Sequence, residues 1–236
     1  KNQFKNKNEL NKFNTQSEKL LETCKLMNIK KFIYISSAKV MGEYNYYNKP
    51  FSIKDKPRPY DQYANYKLFN EYLISKYFDK SNIDYTIIRS PIIYGPNFKG
   101  NLRYINFFSK LNLPIPSECM YAKKSMLSIF NLNSFIVYIL KNDDYNNKTI
   151  FLTDNQDISL KDFIRLLSKH CPHKLRLIKV NLNILYIILF LIFKQNLIKK
   201  IKYSFQFDIK ETLDLSIWRP PFDIEESIKL IFRKKT

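Results

Sequence analysis

The stretch "IKKFIYIS" (Ile29–Ser36) is a short apolar run of aromatic and β-branched residues, which predicts a buried strand. It follows "ELNKFNTQSEKLLETCKLM" (Glu9–Met27), where apolar residues recur at helical spacing. A second strand is predicted in "IDYTIIRSPIIYGP" (Ile83–Pro96), which Pro91 stops. Between the strands, "DQYANYKLFNEYLISKYF" (Asp61–Phe78) contains good helix formers and no Gly or Pro. This order predicts parallel strands with helices on the faces of their sheet.

The pattern changes at about residue 100, where short helices and isolated strands begin. Examples of these strands are "KTIFLTD" (Lys148–Asp154) and "LRLIKV" (Leu175–Val180). The sequence therefore predicts an α/β fold in two parts. Residues 1–99 form the parallel sheet, and residues 100–236 mainly form a smaller mixed domain.

Polar residues stand at the ends of both predicted strands. Ser36 and Ser37 lie at the end of the first strand, and Ser90 and Pro91 lie where the second strand is stopped. Ligands of parallel sheets bind beyond the carboxyl ends of the strands. A turn-rich loop (residues 38–60) with three prolines follows Ser37, and loops of this length are usually functional. A binding site is expected at this edge of the sheet.

"YANYK" (Tyr63–Lys67) places a phenol and an ammonium on one face of the predicted helix. A tyrosine pKa is ordinarily about 10, and a nearby cation favours the phenolate, which can act as a base. The hydroxyl of Ser37 could bind the same substrate oxygen. A second match, "YLISK" (Tyr72–Lys76), lies two turns further along, and two matches are what chance predicts in a chain this rich in Tyr and Lys. Tyr63 is favoured as the catalytic residue because it lies at the start of the helix, near the strand ends, and not because of its spacing to a lysine.

The composition excludes several classes of protein. The net charge is +19, but the lysines are scattered and no zinc-finger spacing or basic zipper accompanies them, so we expect phosphate-bearing small ligands and no nucleic acid. Cys24, Cys119 and Cys171 are far apart in the sequence, which favours a reducing cytoplasm over a disulfide framework. Both histidines lie in "HCPH" (170–173), where an ordinary helix end is favoured over a metal site.

The most hydrophobic segment is "LNILYIILFLIF" (Leu182–Phe193). It is shorter than the roughly 20 residues that a membrane-spanning helix needs. We therefore expect no transmembrane span here, and a buried or partner-facing helix is favoured. Peripheral contact with a membrane surface is the alternative.

Three motifs in a fixed order, "KKFIYISSAKVMGE", "YANYK" and "IIRSPIIYGPNFKGN", resemble the extended short-chain dehydrogenase/reductase family. Its members include NAD-dependent epimerases and dehydratases that act on nucleotide sugars. The resemblance extends to "FNTQSEKLLE", to "KKSMLSIFNL" and to "FDIKETLDLSIWRPPFDIEESI", so it covers nearly the whole chain. It implies a partial Rossmann-like sheet followed by a substrate domain, NAD (or NADP) as the cofactor, and a homodimer as one arrangement of the chains.

The resemblance also implies roles for single residues. Ser37, Tyr63 and Lys67 match the catalytic residues of the family. Cofactor binding is implied for Tyr63, Lys67, Ser36, Ser90 and Pro91. Asn101 matches an asparagine that contacts the nucleotide diphosphate, and Lys124 stands where many relatives have a diphosphate-binding arginine.

The two residues that directly follow the catalytic serine limit the type of reaction that the enzyme could catalyse. Sugar-nucleotide 4,6-dehydratases carry an Asp-Glu pair there, whereas this sequence has Ala38 and Lys39. Neither can act as the carboxylate of a water elimination. The resemblance therefore favours a 4-epimerase or a 4-keto reductase, and "SSAKVMGE" with "GPNFKGN" is most similar to bacterial surface-polysaccharide members.

The glycine-rich turn that holds the cofactor pyrophosphate in the family is not found in this sequence. The chain has three glycines, Gly42, Gly95 and Gly100, and they are not spaced to form such a turn. Two interpretations follow: a piece of a longer enzyme, or a catalytically inactive remnant that serves as a binding module. A basic protein that binds a membrane surface or nucleic acid is a third hypothesis.

Overall fold

The computed structural model describes residues 7–45, 49–96, 114–115, 120–171, 175–181, 183–184, 187, 199 and 201–233. Its helices are α1 (Lys7–Leu26), a 3₁₀ helix (Ala38–Met41), α2 (Gln62–Phe78), α3 (Ile129–Lys141), α4 (Leu160–His170), α5 (Lys210–Asp214) and α6 (Ile224–Phe232). Its strands are β1 (Lys31–Ser37), β2 (Asp84–Ser90), β3 (Ile92–Tyr94), β4 (Pro114–Ile115), β5 (Lys123–Ser128), β6 (Lys148–Phe151), β7 (Asp157–Ser159) and β8 (Arg176–Leu177).

The predicted parallel sheet is confirmed. Its strand order is β1-β2-β6, and both pairings are parallel. The register sets Ser37 opposite Ser90, so the carboxyl ends of β1 and β2 are level. Because β6 joins this sheet, the C-terminal range of the chain contributes one strand to it. The division after residue 99 stays a prediction.

Helices cover both faces of this sheet, as the sequence predicts. Successive residues of a strand point to opposite faces. On β2, Ile87 packs in the cluster with Leu21 of α1 and Leu73 of α2. Its neighbour Ile88 packs on the other face, in the cluster with Phe135 of α3. The strand is therefore apolar on both sides, as expected for a strand between two helical layers.

The second predicted strand, Ile83–Pro96, is in fact two strands. Pro91 has no backbone N–H to donate and separates β2 from β3. After it, β3 pairs in parallel with β5, which pairs antiparallel with β7. The chain thus passes from the first sheet to a second one at Pro91. A short parallel pair, β4 with β8, completes the described sheets.

Side-chain caps explain where several helices begin. The Asp61 carboxylate accepts a hydrogen bond from the Ala64 N–H at 2.7 Å, which fixes the first turn of α2. Ser128 and Ser159 cap α3 and α4 in the same way. At α6, Asp223 caps through a reciprocal pair of bonds with Glu226. In α2 this cap places Tyr63 in the first turn.

The long loop after β1 is anchored to the C-terminal segment. Its 3₁₀ helix buries Val40 and Met41, and Phe51 pairs with Phe207 across the loop. Within the described residues, no helix is both long enough and apolar enough to cross a membrane. The hydrophobic segment 182–193 lies almost entirely outside the described residues.

Candidate active site

The site forms at the level carboxyl ends of β1 and β2, against the first turns of α2. Ser37 ends β1, and its hydroxyl accepts a hydrogen bond from the Lys39 N–H at 3.3 Å, capping the 3₁₀ helix. Tyr63 lies half-buried in the first turn of α2. Burial raises the pKa of Tyr63, a hydrogen bond with the Ser37 hydroxyl lowers it, and the Asp61 carboxylate raises it. The two predicted hydroxyl side chains therefore lie close enough for Ser37 to influence the pKa of Tyr63.

Lys67 lies one turn beyond Tyr63 on the same face of α2. Its ammonium is 5.9 Å from the centre of the Tyr63 ring and 4.6 Å from that of Tyr34. It donates a hydrogen bond to the Ile35 carbonyl of β1 at 2.9 Å. Burial lowers the pKa of Lys67, and the Glu71 carboxylate raises it. The structure brings together Ser37, Tyr63 and Lys67.

A second ammonium lies at Tyr63. Lys39 Nζ is 5.7 Å from the centre of the Tyr63 ring and 2.9 Å from Asp61 Oδ2. Because the other oxygen of Asp61 caps α2, this ion pair joins the turn after Ser37 to the turn that carries Tyr63. From the sequence alone, Lys39 is only a residue that cannot act as a carboxylate. Its contact with Asp61 spans 22 positions and has no local spacing signal.

A buried polar network lies beneath the site. Ser36 Oγ donates to Glu71 Oε1 at 2.5 Å, and Arg89 Nη2 donates to Glu71 Oε2 at 2.7 Å. A further hydrogen bond runs from Arg89 Nη1 to the sulfur of Met41 at 3.3 Å. The network therefore ties together β1, α2, β2 and the 3₁₀ helix. The side chain of Ser36 contacts this network, and its cofactor role stays a prediction.

Glu71 and Arg89 were not predicted from the sequence, although one signal was available. Glu71 follows Lys67 by four positions and Tyr63 by eight, so all three share one helix face. That face packs against the sheet, and a carboxylate that faces a sheet requires a partner.

Ser90 and Pro91 are buried at the end of β2. The Ser90 hydroxyl donates to the Ser36 carbonyl at 3.3 Å. Because Ser37 is opposite Ser90 in the register, both lie at the sheet edge where Tyr63 and Lys67 also lie. The position agrees with the predicted binding edge, and the cofactor contacts of Ser90 and Pro91 stay predictions.

Two residues are predicted to contact the diphosphate, and one of them lies within the described residues. Lys124 lies on β5, and its ammonium donates to the Tyr203 carbonyl. This contact joins the strand to the C-terminal segment that follows residue 201. Asn101 lies outside the described residues.

Two other features were considered from the sequence, the histidines of "HCPH" and the cysteines. His170 ends α4, and its Nε2 atom lies 3.0 Å from Glu225 Oε1. No three His, Cys, Asp or Glu side chains of the described chain are grouped as metal ligands would be. Cys24 and Cys171 are free thiols, and Cys119 lies outside the described residues.

Comparison with known proteins identifies relatives by sequence. A family model described as the NAD dependent epimerase/dehydratase family matches residues 2–118. The UDP-glucose 4-epimerase of Vibrio cholerae is 28% identical over 202 residues, which are 85% of this chain and 62% of the relative. The chain thus spans less than two thirds of that relative's length.

Solved structures share the fold. The UDP-glucuronic acid 4-epimerase of Bacillus cereus, in complex with NAD, has a TM-score of 0.70 at 19% identity, covering 92% of this chain and 62% of that chain. The UDP-glucose 4-epimerase of Thermotoga maritima, with UDP-glucose, has a TM-score of 0.69 at 17% identity, covering 92% and 66%. The family model shows that residues 2–118 belong to the NAD dependent epimerase/dehydratase family, and the solved structures share the fold of the chain.

Proposed function

We propose that the protein is an NAD-dependent nucleotide-sugar 4-epimerase or 4-keto reductase that acts on a UDP-sugar. The observation that carries the proposal is the Lys67 ammonium 5.9 Å from the Tyr63 ring, at the strand end that carries Ser37. The proposal places the enzyme in the cytoplasm, in bacterial surface-polysaccharide synthesis, with a homodimer as its assembly.

In the proposed mechanism, Tyr63 takes the proton from a sugar hydroxyl. Burial raises the pKa of Tyr63, and the hydrogen bond with Ser37 lowers it. Ser37 also supplies a second hydroxyl to the same substrate oxygen. The nearby Lys67 cation favours the phenolate, because an opposite charge stabilises the charged form of a base. Tyr63 returns the proton when the carbonyl is reduced.

The donors present at the site fit a nicotinamide ribose. An ammonium has three N–H donors. The one hydrogen bond recorded for Lys67 in the described chain is to Ile35 O, which leaves two donors for ribose hydroxyls. Ser90 and Pro91 would line the nicotinamide at the same edge. When bound there, NAD would supply the hydride acceptor for the sugar carbon and the hydride donor for the resulting ketone.

The substrate class rests on the relatives and on the charge of the chain. The Vibrio cholerae relative and the two solved structures are all named for UDP-sugars, and one of those structures contains UDP-glucose. A net charge of +19 favours an anionic ligand such as a diphosphate. Lys124 and Asn101 would contact that diphosphate. Lys124 offers a point charge and not the bidentate fork of an arginine.

A water elimination is not part of the proposal. The two residues that follow Ser37 are Ala38, which is fully buried, and Lys39, whose ammonium pairs with Asp61. Neither supplies a carboxylate acid or base. An epimerase or a keto reductase needs none, because Tyr63 alone exchanges the proton.

A binding module without turnover is the second candidate. The observation that favours it is the small number of glycines in the sequence, three, with no glycine-rich turn for the pyrophosphate. In this case the chain would bind a nucleotide sugar at the strand ends without oxidising it.

The test is turnover by the purified chain supplied with NAD and UDP-glucose, UDP-galactose or UDP-glucuronic acid, followed by chromatography of the products. Tyr63→Phe should lower the rate by about 10²- to 10⁴-fold, the usual contribution of an acid–base group. Tyr72→Phe is the matched control, since Tyr72 has the same spacing to a lysine but is 59% exposed. Equal rates for wild type and Tyr63→Phe would remove Tyr63 from the mechanism. UDP-sugar binding without turnover would favour the binding module.

A further inference from the structure

Two cations flank the phenol of Tyr63. Lys67, one turn along α2, belongs to the site described above. Lys39 approaches the same ring from the turn after β1, at 5.7 Å against 5.9 Å for Lys67. The side chain of Lys39 is 43% exposed, so its ammonium lies at the mouth of the site and not in the core.

The partner of Lys39 is the carboxylate next to Tyr63. Asp61 caps α2 with Oδ1 on the Ala64 N–H at 2.7 Å, and Oδ2 is 2.9 Å from Lys39 Nζ. The capping hydrogen bond fixes the Asp61 carboxylate at the helix start, two residues before Tyr63. A helix start thus places a negative charge next to a tyrosine that must give up its proton.

We propose that Lys39 is a positioning residue of the site: by pairing with Asp61 it neutralises the carboxylate that caps α2 and so keeps Tyr63 able to act as a base. This inference rests on the proposed function, since it concerns the proton transfer by Tyr63. It assigns a role to a lysine where 4,6-dehydratases of the family carry an acidic residue.

The electrostatics around Tyr63 support this role. Among the described residues, four titratable groups lie around the Tyr63 side chain: Asp61 at the cap of α2, Lys67 on α2, Lys39 from the 3₁₀ helix and Tyr34 from β1. Asp61 raises the pKa of Tyr63, because a nearby negative charge disfavours the phenolate. An ammonium at 2.9 Å from this carboxylate offsets its charge.

The Lys39–Asp61 pair also has a geometric consequence. Ser37 accepts a hydrogen bond from the Lys39 N–H, so the backbone of Lys39 holds the Ser37 side chain while its ammonium holds the start of α2. One residue therefore contacts both the strand end that carries Ser37 and the helix start that carries Tyr63.

The test is a direct titration of Tyr63 in the full chain. Tyrosine is labelled with ¹³C at Cζ, and the Tyr63 signal is assigned as the one that Tyr63→Phe removes. Its chemical shift is followed over the alkaline range in wild type, Lys39→Met, Asp61→Asn and the double variant. Asn caps a helix about as well as Asp, so Asp61→Asn removes the charge and keeps the cap.

Lys39→Met should raise the pKa of Tyr63, and Asp61→Asn should lower it. The shift caused by Lys39→Met should be smaller when Asp61→Asn is also present, because the charge that Lys39 neutralises is gone. Lys39→Arg should restore the wild-type titration. Lys54→Met is the control for bulk charge: Lys54 is 78% exposed and pairs with Glu211 elsewhere.

Three results would overturn the proposal: an unchanged Tyr63 titration in Lys39→Met, an equal shift with and without the Asp61 carboxylate, or an equal shift in Lys54→Met. Circular dichroism of each variant separates these results from unfolding, because a merely structural lysine would lower stability and leave the titration of Tyr63 in place. The titration needs no cofactor and no turnover. Failure of the proposed epimerase activity is therefore visible separately from failure of the Lys39 role.

Discussion

The guanidinium of Arg89 donates three hydrogen bonds to the carboxylate of Glu71, at 2.7, 3.1 and 3.2 Å. The two side chains are 9% and 5% exposed, so the ion pair is buried. Glu71 lies one turn beyond Lys67, and Arg89 precedes Ser90 at the end of β2. A buried pair thus fixes α2 to the strand end at which the candidate active site forms.

Glu71→Gln should strongly destabilise the protein. Glutamine is nearly isosteric but leaves the buried Arg89 charge without a counter-charge, which typically costs about 3–5 kcal/mol of unfolding free energy. Urea unfolding measures this loss. The double variant Glu71→Gln/Arg89→Met should recover part of it, because the unpaired buried charge of Arg89 is then gone.

The control for Glu71→Gln is Glu211→Gln. Glu211 pairs with Lys54 at 3.2 Å, and both side chains are largely exposed. Loss of this exposed ion pair in Glu211→Gln should change the unfolding free energy by at most about 1 kcal/mol. If Glu71→Gln costs no more than Glu211→Gln, the buried pair does not hold α2 to β2 in the way inferred here.

Ser37→Ala should raise the pKa of Tyr63, because the hydrogen bond with the Ser37 hydroxyl lowers it. A base must be deprotonated to accept a proton, so the acid limb of a rate profile should move to higher pH. The ¹³C titration of Tyr63 measures the same shift without turnover. Ser37→Thr keeps a hydroxyl and should titrate like wild type. If Ser37→Ala leaves the titration unchanged, the serine does not tune Tyr63.

The sequence predicted much of this site because its signals are local. Asp61–Phe78 is predicted as a helix and α2 spans Gln62–Phe78, since the segment contains good helix formers and no Gly or Pro. The level strand ends at Ser37 and Ser90 follow from two parallel strands of similar length.

The sequence did not reveal the features that depend on distant contacts. The Glu71–Arg89 pair joins a helix to a strand 18 positions away, and no periodicity encodes that choice of partner. The passage of the chain into a second sheet after Pro91 depends on β5, which begins at Lys123, far along the chain. Pairings of this kind are set by packing, not by local preference.

Gly95→Ala should destabilise the junction between β3 and α3. A Cβ atom at Gly95 would lie 2.5 Å from Cγ2 of Ile129, the first residue of α3, so the isoleucine would have to move. Overpacking of this kind costs about 1–3 kcal/mol of unfolding free energy. Urea unfolding of Gly95→Ala, Ile129→Ala and the double variant forms a cycle. The double variant should lose less unfolding free energy than the sum of the losses in the two single variants. Strict additivity would mean that the two positions do not clash.

Glu225→Gln should weaken the acid dependence of stability. Glu225 lies in the first turn of α6 and contacts Lys169 at 2.9 Å, His170 at 3.0 Å and Lys229 at 3.6 Å. Hydrogen bonds from Lys169 and then His170 lower the pKa of Glu225 from 4.5 to about 2.

A carboxylate with a lowered pKa in the folded state stabilises the protein above its unfolded pKa, and this contribution is lost as pH falls through the folded value. Wild type should therefore exceed Glu225→Gln in its urea midpoint above pH 4.5, and the two midpoints should converge toward pH 2. Glu211→Gln is the matched control, with one exposed lysine partner. Parallel midpoint curves for wild type and Glu225→Gln would contradict a carboxylate that helps hold α6 to α4.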